Sequence, residues 1–344
     1  MGTDLGKLVP SKEIRLNELS GKKIVIDAFN VLYQFLSTIR QPDGMPLVDS
    51  KGRITSHLTG LFYRTISLIE SEVIVAFVFD GKPPLLKAKE IENRRKIREE
   101  SYVKWKTALK EGRIEDAYKA ARSSSRLSED IIESSKQLLS YMGIPIIQAP
   151  SEGEAQAAFL VKKNKAWSSA SQDFDSLLFG SPRLIRNLTL SERRKLPGKN
   201  IYVQVYPTLI ELDRVLSELD ISHEQLIDIG ILIGTDFNDK IPGVGPKTAL
   251  KLIKKYGSFN EIVKAKNYSI DFDYETVRNI FLNPEVIDLP IPDLSVPDPD
   301  KLVEFLCEEH DFNRERVEKG ISRLNNAYKK LKGSGIQTSL EDFF

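Results

Sequence analysis

The sequence predicts an α/β fold with a central, mostly parallel sheet flanked by helices. Short apolar runs rich in Val and Ile recur along the chain, and longer helix-like stretches such as 58–71 and 130–142 separate them. Strands that are apolar throughout are typical of a parallel sheet with both faces covered. The predicted strands are 23–26, 73–79, 144–147, 166–171 and 184–185.

The segment 85–111 is predicted to form a long helix with few apolar positions. Lys87, Arg94 and Arg98 are spaced at i, i+7 and i+11, so they share one face at about 100° per residue. A helix this polar is expected to stand away from the core. The serines at 123–125 predict a break, and five prolines make 284–299 a loop or linker.

Composition excludes several classes of protein. Of the 344 residues 41% are hydrophobic, which provides a real core and excludes global disorder. No apolar run approaches the length of about 18 residues that a membrane span needs. One cysteine excludes an internal disulfide and a Cys cluster for zinc, and three scattered histidines argue against a His-based metal site or a Ser-His-Asp triad. The chemistry must therefore use carboxylates, Lys, Arg and Tyr.

The net charge of +1 hides a strong asymmetry along the chain. Residues 82–126 hold 14 basic and 7 acidic residues, and 240–266 hold 7 and 1. Residues 271–311 hold 2 basic and 12 acidic residues. This segregation indicates basic surfaces that face a polyanion and an acidic face turned elsewhere, although solvated helical faces remain an alternative for either basic block alone.

Acidic residues follow the predicted strands. Because sites in open parallel sheets form at the carboxyl ends of the strands, we expect these acids to gather in one crevice. The segment 230–235 is likewise predicted to be a strand, and it leads to the last of these acids. The seven acids are Asp27, Asp80, Glu152, Glu154, Asp173, Asp175 and Asp236.

Seven carboxylates cannot stay ionised together unless cations balance them. Oxygen ligands without His or Cys favour Mg²⁺ or Mn²⁺, and a site of this size suits two ions that generate hydroxide and steady a leaving phosphodiester oxygen. As an alternative, single acids could be helix caps, and Ser151 with Glu154 fits a capping box. Glu152 and Glu154 can share an ion only if they lie at the start of a helix.

The segment 241–250, IPGVGPKTAL, predicts a turn that opens a helix. Gly243 and Gly245 would let the backbone approach a phosphate, and Lys247 and Lys251 add positive charge. A P-loop is excluded because Pro246 stands where that motif needs glycine. A hairpin that binds the DNA backbone without reading bases fits better than a plain helix cap.

The chain ends in QTSLEDFF, residues 337–344. Leu340, Phe343 and Phe344 would share one face of a single helical turn. Apolar side chains at a polar end are costly in water unless they are covered, so we expect a protein partner rather than docking onto the chain's own core.

Together these residues resemble the flap endonuclease family within the 5′-nuclease superfamily, and the resemblance covers essentially the whole chain. The tail is similar to that family's sliding-clamp-binding motif, with Gln337 as its first position. The matching stretches are Asp27, YQFL (33–36), SHL (56–58), FYRT (62–65), VFDGKPP (78–84), APSEGEA (149–155), SQDFD (171–175), GTD (234–236) and GVGPK (243–247).

The resemblance implies roles for these residues. Lys87 and Arg94 would reach the scissile phosphate, Tyr33 would stack on a base, and Arg40 and Arg64 would contact the DNA backbone. Gly234 would lie beside the substrate. The acids would form one metal group of Asp27, Asp80, Glu152 and Glu154 and another of Asp173, Asp175 and Asp236.

The resemblance also implies an organisation. Residues 1–98 and 116–258 would form the nuclease core, 82–126 a helical arch for the 5′ flap, and 41–56 a wedge between duplexes. A helix-hairpin-helix (two-turn-helix) element at 234–257 would bind duplex and could carry a monovalent ion on its carbonyls. A C-terminal helical region (259–335) would precede the clamp-binding tail (336–344).

We therefore predict a Mg²⁺-dependent enzyme, monomeric when unbound to the clamp, that cuts branched DNA near the base of a 5′ flap, with weaker 5′-exonuclease or gap activity. It would act in Okazaki fragment maturation and long-patch base excision repair. It would be intracellular: cytoplasmic in a prokaryote, which we favour, or nuclear in a eukaryote. The alternatives are an RNase on the same core, a non-catalytic scaffold that binds DNA and the clamp, and a small-phosphoester hydrolase.

Overall fold

The computed structural model describes residues 3–190, 193–195 and 202–333. Its strands are β1 (Lys12–Glu13), β2 (Lys23–Asp27), β3 (Ile74–Phe79), β4 (Ile146–Gln148), β5 (Ser168–Ala170), β6 (Arg183–Arg186), β7 (Arg193–Lys195), β8 (Tyr202–Gln204) and β9 (Thr208–Glu211).

Seven strands form one sheet in the order β1-β9-β6-β5-β2-β3-β4. The five strands from β6 to β4 run parallel, β9 pairs antiparallel with β6, and β1 pairs antiparallel with β9. The prediction of a mostly parallel sheet is confirmed. From β2 the chain adds β3 and β4 on one side and then returns to place β5 on the other. The strand order therefore reverses between β2 and β5, and in such sheets the crevice forms at this reversal.

The helices within the described residues are α1 (Ala28–Thr38), α2 (Ser56–Glu70), α3 (Ala88–Lys110), α4 (Ile114–Ser123), α5 (Glu129–Tyr141), α6 (Gly153–Lys162), α7 (Asp175–Leu178), α8 (Leu212–Leu219), α9 (His223–Ile233), α10 (Pro246–Tyr256), α11 (Phe259–Lys266), α12 (Tyr274–Leu282), α13 (Pro299–Val303) and α14 (Arg314–Gly333). Short 3-10 turns lie at Leu16–Leu19 and Leu85–Lys87, and a π-helical turn lies at Glu304–Glu309.

Both faces of the sheet are covered, which explains why its strands are apolar throughout. In β2, Ile24 and Ile26 pack into the core shared with α1, α2 and α14, while Val25 faces the opposite cluster built on α6. β5 is the exception, because it begins with two buried serines. The hydroxyl of Ser169 lies 2.9 Å from the Ser181 hydroxyl and donates to the Arg183 carbonyl, so a polar residue is tolerated in a central strand.

The segment 230–235 is not a strand, so that prediction was wrong. It forms the end of α9, which starts with a capping box between Ser222 and Gln225 and ends at Gly234. α9 is buried over most of its circumference, and a continuous apolar run is common to buried helices and buried strands. Asp236 therefore follows a helix, whereas the other six acids follow strands.

The segment 82–126 projects from the core as two helices rather than one. α3 has 23 residues, of which only Trp105 and Ala108 are buried, and α4 packs back on it through Ala117 and Ala121. The indole N–H of Trp105 donates to the Asp43 carbonyl at 3.3 Å. The hairpin of α3 and α4 is thus attached at its far end to the loop that follows α1. We call the whole segment 82–126 the arch.

The proline-rich segment 284–299 forms neither helix nor strand before Pro299, as predicted. Lys165 contacts Asp288 just before β5, Lys23 at the start of β2 contacts Asp293, and the Ser295 N–H donates to the Gly143 carbonyl before β4. All three contacts lie at the amino ends of the parallel strands. Residues 288–295 therefore run along the edge of the sheet opposite the crevice. Within the described part of the chain, the helices are all too short or too polar to cross a bilayer.

Candidate active site

The crevice at the strand-order reversal contains the first carboxylates. Asp27 is the last residue of β2 and the N-cap of α1, where it accepts the backbone N–H of Asn30 at 3.1 Å. Asp80 directly follows β3, and Asp173 follows β5 after a two-residue turn. The parallel register that pairs β2 with both β3 and β5 brings these strand ends to one edge.

The start of α6 brings two more acids to the same edge. Glu152 is its N-cap and Glu154 lies in its first turn, the arrangement that a shared ion requires. The Gly153 N–H donates to Asp80 Oδ1 at 2.9 Å. A Cβ on Gly153 would lie 2.4 Å from that oxygen, so only glycine allows the approach. Asp80, and not the Ser151 side chain of the predicted capping box, thus caps α6.

Asp175 and Asp236 complete the set from two helix ends. Asp175 begins α7, is 5% exposed, and accepts the backbone N–H of Thr3 at 2.8 Å. Asp236 lies three residues beyond α9 and contacts the basic side chains of the arch. The structure therefore brings all seven predicted acids to one region, although the last arrives from a helix.

Lys87 and Arg94, at the root of the arch, reach into the carboxylates. The Lys87 ammonium donates to Glu152 and lies 3.3 Å from Asp236 Oδ2. The Arg94 guanidinium donates to Glu90 at 2.7 Å and to Asp236. Of the three residues predicted to share one face, Lys87 and Arg94 point at the acids, whereas Arg98 contacts Tyr33.

Burial and mutual repulsion dominate the electrostatics of the crevice. Burial, and then the charge of Glu152, raises the pKa of Asp80 to about 7. Burial, and then the charge of Asp236, raises the pKa of Asp175 to about 6. The pKa values of Asp27 and Glu154 are also raised by burial and by neighbouring carboxylates. Each shift shows that negative charge is under-compensated here, even with Lys87 and Arg94 present.

The donor set fits hard divalent cations such as Mg²⁺. Its ligands are carboxylate oxygens, and raised carboxyl pKa values are what added positive charge would reverse. Among the side chains that the structure describes, no three acids, His or Cys converge as a ready-made ion cage. Lys87 lies against Glu152 instead, so an ion held by Glu152 would need this ammonium to move away from the carboxylate. That movement would free it for a substrate phosphate.

Three predicted DNA-contact residues bind the protein itself. The Tyr33 hydroxyl accepts from Arg98 at 3.0 Å, and that guanidinium lies 5.9 Å over the Tyr33 ring. Arg40 donates to the Leu36 and Gly44 carbonyls and to Ser125. Arg64 donates to the Thr189 and Leu190 carbonyls. Arg40 and Arg64 therefore brace loops around the crevice, and their contact with DNA stays a prediction.

The helix-hairpin-helix element consists of α9, the turn and α10. Gly243 (φ +77°) lies in an open turn, and Gly234 (φ +93°) ends α9 with no room for a side chain beside Lys240. Gly245 is the N-cap of α10, and within the described residues no side chain caps that end. Lys247 and Lys251 are exposed along α10. An uncapped, basic helix start suits a phosphate.

The predicted clamp-binding residues Gln337, Leu340, Phe343 and Phe344 lie outside the described residues. The sequence reasoning missed one polar residue of the crevice, Asn30, whose side chain contacts Asp173. Its position three residues after Asp27 could have suggested that it lies near the acids. That its side chain reaches Asp173 could be inferred only from the pairing of β5 with β2.

Two family profiles match the chain, the XPG N-terminal domain at residues 5–101 and the XPG I-region at residues 143–236. The flap endonuclease 1 of Pyrococcus abyssi is 53% identical over 345 residues, spanning 100% of this chain and 98% of the relative. That of Sulfurisphaera tokodaii is 52% identical over 351 residues, spanning 99% and 100%.

Solved structures give the same result. Flap endonuclease-1 from Methanococcus jannaschii superposes with a TM-score of 0.77 at 41% identity, covering 96% of this chain and 99% of that one. The catalytic core of Rad2 in complex with DNA substrate gives 0.68 at 25% identity, covering 91% and 96%.

Proposed function

The chain belongs to the flap endonuclease 1 family, and from this premise we propose that its carboxylate crevice cuts DNA near the base of a 5′ flap. Hydrolysis of a DNA phosphodiester, in replication and repair, follows from family membership. The observation that carries the assignment to this site is the meeting of seven acids with two basic side chains of the arch at the strand-order reversal.

We assign the acids to two metal groups, one with Asp27, Asp80, Glu152 and Glu154 and the other with Asp173, Asp175 and Asp236. The division follows the fold, because the first group lies on β2, β3 and α6 and the second on the far side of the reversal. Mg²⁺ or Mn²⁺ ions held there would supply the positive charge that makes hydroxide available near neutral pH and stabilises the leaving oxygen.

Lys87 and Arg94 would bring positive charge to the scissile phosphate in addition to that of the metal ions. Both belong to an element with few core contacts, and both already lie beside the acids. We propose that they turn from the carboxylates to the scissile phosphate when DNA binds and stabilise its developing charge. The acids hold them near the reaction until then.

The remaining surfaces would position the DNA. The uncapped start of α10, with Lys247 and Lys251, would hold a duplex backbone, with a monovalent ion on the turn as a further option. Tyr33 would stack on a base near the cut, and the arch (82–126) and the wedge (41–56) would sort single strand from duplex. The solved Rad2 complex with a DNA substrate supports a DNA-binding role for this fold.

The tail would recruit a sliding clamp through Gln337, Leu340, Phe343 and Phe344. Its support is the sequence motif, in which three apolar residues share one face of a helical turn. The relatives are archaeal, which supports a cytoplasmic protein. That it works as a monomer when it is not bound to the clamp stays a prediction.

The test is cleavage of an end-labelled double-flap DNA with and without Mg²⁺, beside a matched single strand and an intact duplex. We expect one Mg²⁺-dependent cut near the flap junction and little cutting of the controls, with any 5′-exonuclease or gap activity weaker. Asp175→Ala should abolish cleavage and largely spare DNA binding. Cleavage by that variant at a near wild-type rate would contradict the metal assignment.

A further inference from the structure

Asn30, in the first turn of α1, makes three hydrogen bonds within the crevice. Its backbone N–H donates to Asp27 Oδ1 at 3.1 Å, and its side-chain amide donates to Asp173 Oδ2 at 3.1 Å. Its side-chain oxygen accepts the backbone N–H of Gln172 at 2.9 Å. One residue thus joins the acid at the end of β2 to the acid that follows β5.

The chemistry of the amide suits this place. A backbone N–H can be satisfied only by an acceptor and an ionised carboxylate only by a donor, so the contacts to Gln172 and Asp173 fix which way the amide points. The amide is neutral, so it orients Asp173 without cancelling the negative charge that a cation needs. A Lys or Arg at position 30 would hold the carboxylate equally well but would compete with the ion.

We propose that Asn30 is a positioning residue that fixes the separation of the two metal groups. It does so by tying Asp173 to the helix that Asp27 caps, across the strand-order reversal. The inference rests on the proposed function, because it takes Asp27 and Asp173 as ligands of different groups. Hydrogen bonds that orient ligand side chains typically change metal affinity or activity by about 10–100-fold.

Gln34 provides a matched control. It lies one turn further along α1, and its side-chain oxygen accepts from the Gln172 side chain at 3.2 Å and from the Thr189 hydroxyl at 3.3 Å. It therefore braces the same loop as Asn30, but its hydrogen bonds go to neutral groups. A general loosening of the loop would affect both variants, whereas a role in spacing the carboxylates would appear only at position 30.

The experiment compares Asn30→Leu and Gln34→Leu in the full chain. Mn²⁺ binding to the DNA-free protein is measured by calorimetry, and flap cleavage is measured across a Mg²⁺ titration. We expect Asn30→Leu to weaken Mn²⁺ binding and to raise the Mg²⁺ concentration for half-maximal rate by about 10–100-fold. Gln34→Leu should stay close to the wild type in both. Asn30→Ala, which adds no bulk, replaces the leucine variant if that one does not fold.

Two results would overturn the proposal in different ways. Wild-type Mn²⁺ affinity in both position-30 variants, with only a lower melting temperature in EDTA, would reduce Asn30 to a structural residue. Failure of the wild-type protein itself to bind Mn²⁺ would instead refute the metal groups of the proposed function, and the role of Asn30 with them.

Discussion

At the scale of single residues, burial and the charges of neighbouring groups together determine the electrostatics of the crevice. Burial outweighs the other influences on Asp80, Asp175, Asp27 and Glu154, and raises each pKa. Burial alone would lower the pKa of Lys87, yet the carboxylates of Glu152 and Asp236 reverse this and raise it. The ammonium therefore remains charged at any working pH, as an electrostatic partner of phosphate must.

Replacing Lys87 should separate catalysis from DNA binding. Lys87→Ala removes a buried donor directed at the acids, and loss of one such preorganised donor typically lowers the rate by about 10²–10³-fold. DNA affinity should change little, since most backbone contacts lie elsewhere. Single-turnover cleavage and a flap-binding assay measure the two effects.

Lys89→Ala is the control, because Lys89 lies two residues away and pairs with Asp239 while 67% exposed. It should cut at close to the wild-type rate. Equal losses in the two variants would show that the arch needs net charge rather than Lys87 itself.

His57 makes the fold sensitive to acid at a point away from the crevice. Its ring is 1% exposed, Nε2 lies 2.9 Å from the Ser134 hydroxyl, and burial, with a smaller influence from His310, lowers its pKa to about 3. Because this is below the ordinary value of 6.5, the neutral ring stabilises the fold above pH 6.5. That stability is lost as the pH falls towards 3.

We therefore expect His57→Gln to flatten the acid side of the stability profile. As the pH falls from 6 to 4, both proteins lose free energy of unfolding, but the variant loses it more slowly. The difference between the two slopes should be about 1.4 kcal/mol per pH unit. Urea unfolding at several pH values measures this slope. Parallel profiles for the two proteins would mean that the buried ring is protonated in the fold.

At the scale of elements, the arch brings basic side chains to the crevice but makes few contacts with the core. Few of its side chains are buried, and its far end touches the rest of the molecule through Trp105 and through Gly44, which packs on α4. An element with so few apolar contacts opens at a low free energy. Such an element can move Lys87 and Arg94 without disturbing the sheet.

Gly44→Ala should detach this end of the arch. Gly44 has φ +84°, and an added Cβ would lie 2.9 Å from Ala121 Cβ and 3.1 Å from Tyr118 Cα. Gly112→Ala shares the cost of positive φ, about 1–2 kcal/mol, but its Cβ would meet no described atom within 4 Å. Limited proteolysis should cut within 82–126 faster in the Gly44 variant than in the Gly112 variant. Similar rates would show that Gly44 does not hold this end of the arch.

The elements also show how far sequence reasoning reaches. The five parallel strands were predictable because two-sided burial leaves continuous apolar runs, and six acids followed from where those runs end. The helical end of α9 at 230–233 was not predictable, because α9 is buried over most of its circumference and its apolar run therefore has no visible helical period. The bond from Asn30 to Asp173 was also out of reach, since it depends on the order in which β5 joins the sheet.

At the scale of the whole molecule, charge is separated by the sheet. The basic arch and the start of the basic α10 lie with the carboxyl ends of the strands, and Asp288 and Asp293 are held at the amino ends by Lys165 and Lys23. A polyanion approaching from the acidic side is repelled, whereas one approaching the crevice is attracted. This arrangement favours productive encounter, at a rate that falls with ionic strength.

The tail should act independently of the crevice. Deletion of 337–344 should leave cutting of a flap unchanged without the clamp and should remove stimulation by the clamp, because every residue that we assign to the crevice lies within the described part of the chain. Ala substitution of Glu341 and Asp342, which are not defining positions of the motif, is the control and should retain clamp binding. Undiminished clamp binding after the deletion, measured by calorimetry, would refute the tail hypothesis.

The strand-order reversal has a consequence for how the protein is made. Ile24 pairs with Ser168, and the acids of the second group come later still, so the crevice closes only after most of the chain has been synthesised. Chains emerge from the ribosome amino end first, and such distant pairings form late in folding. A chain that ends before Asp173 therefore carries only the first group of acids, and we expect it not to cut DNA. The order of the strands thus delays nuclease activity until the second group of acids has been made.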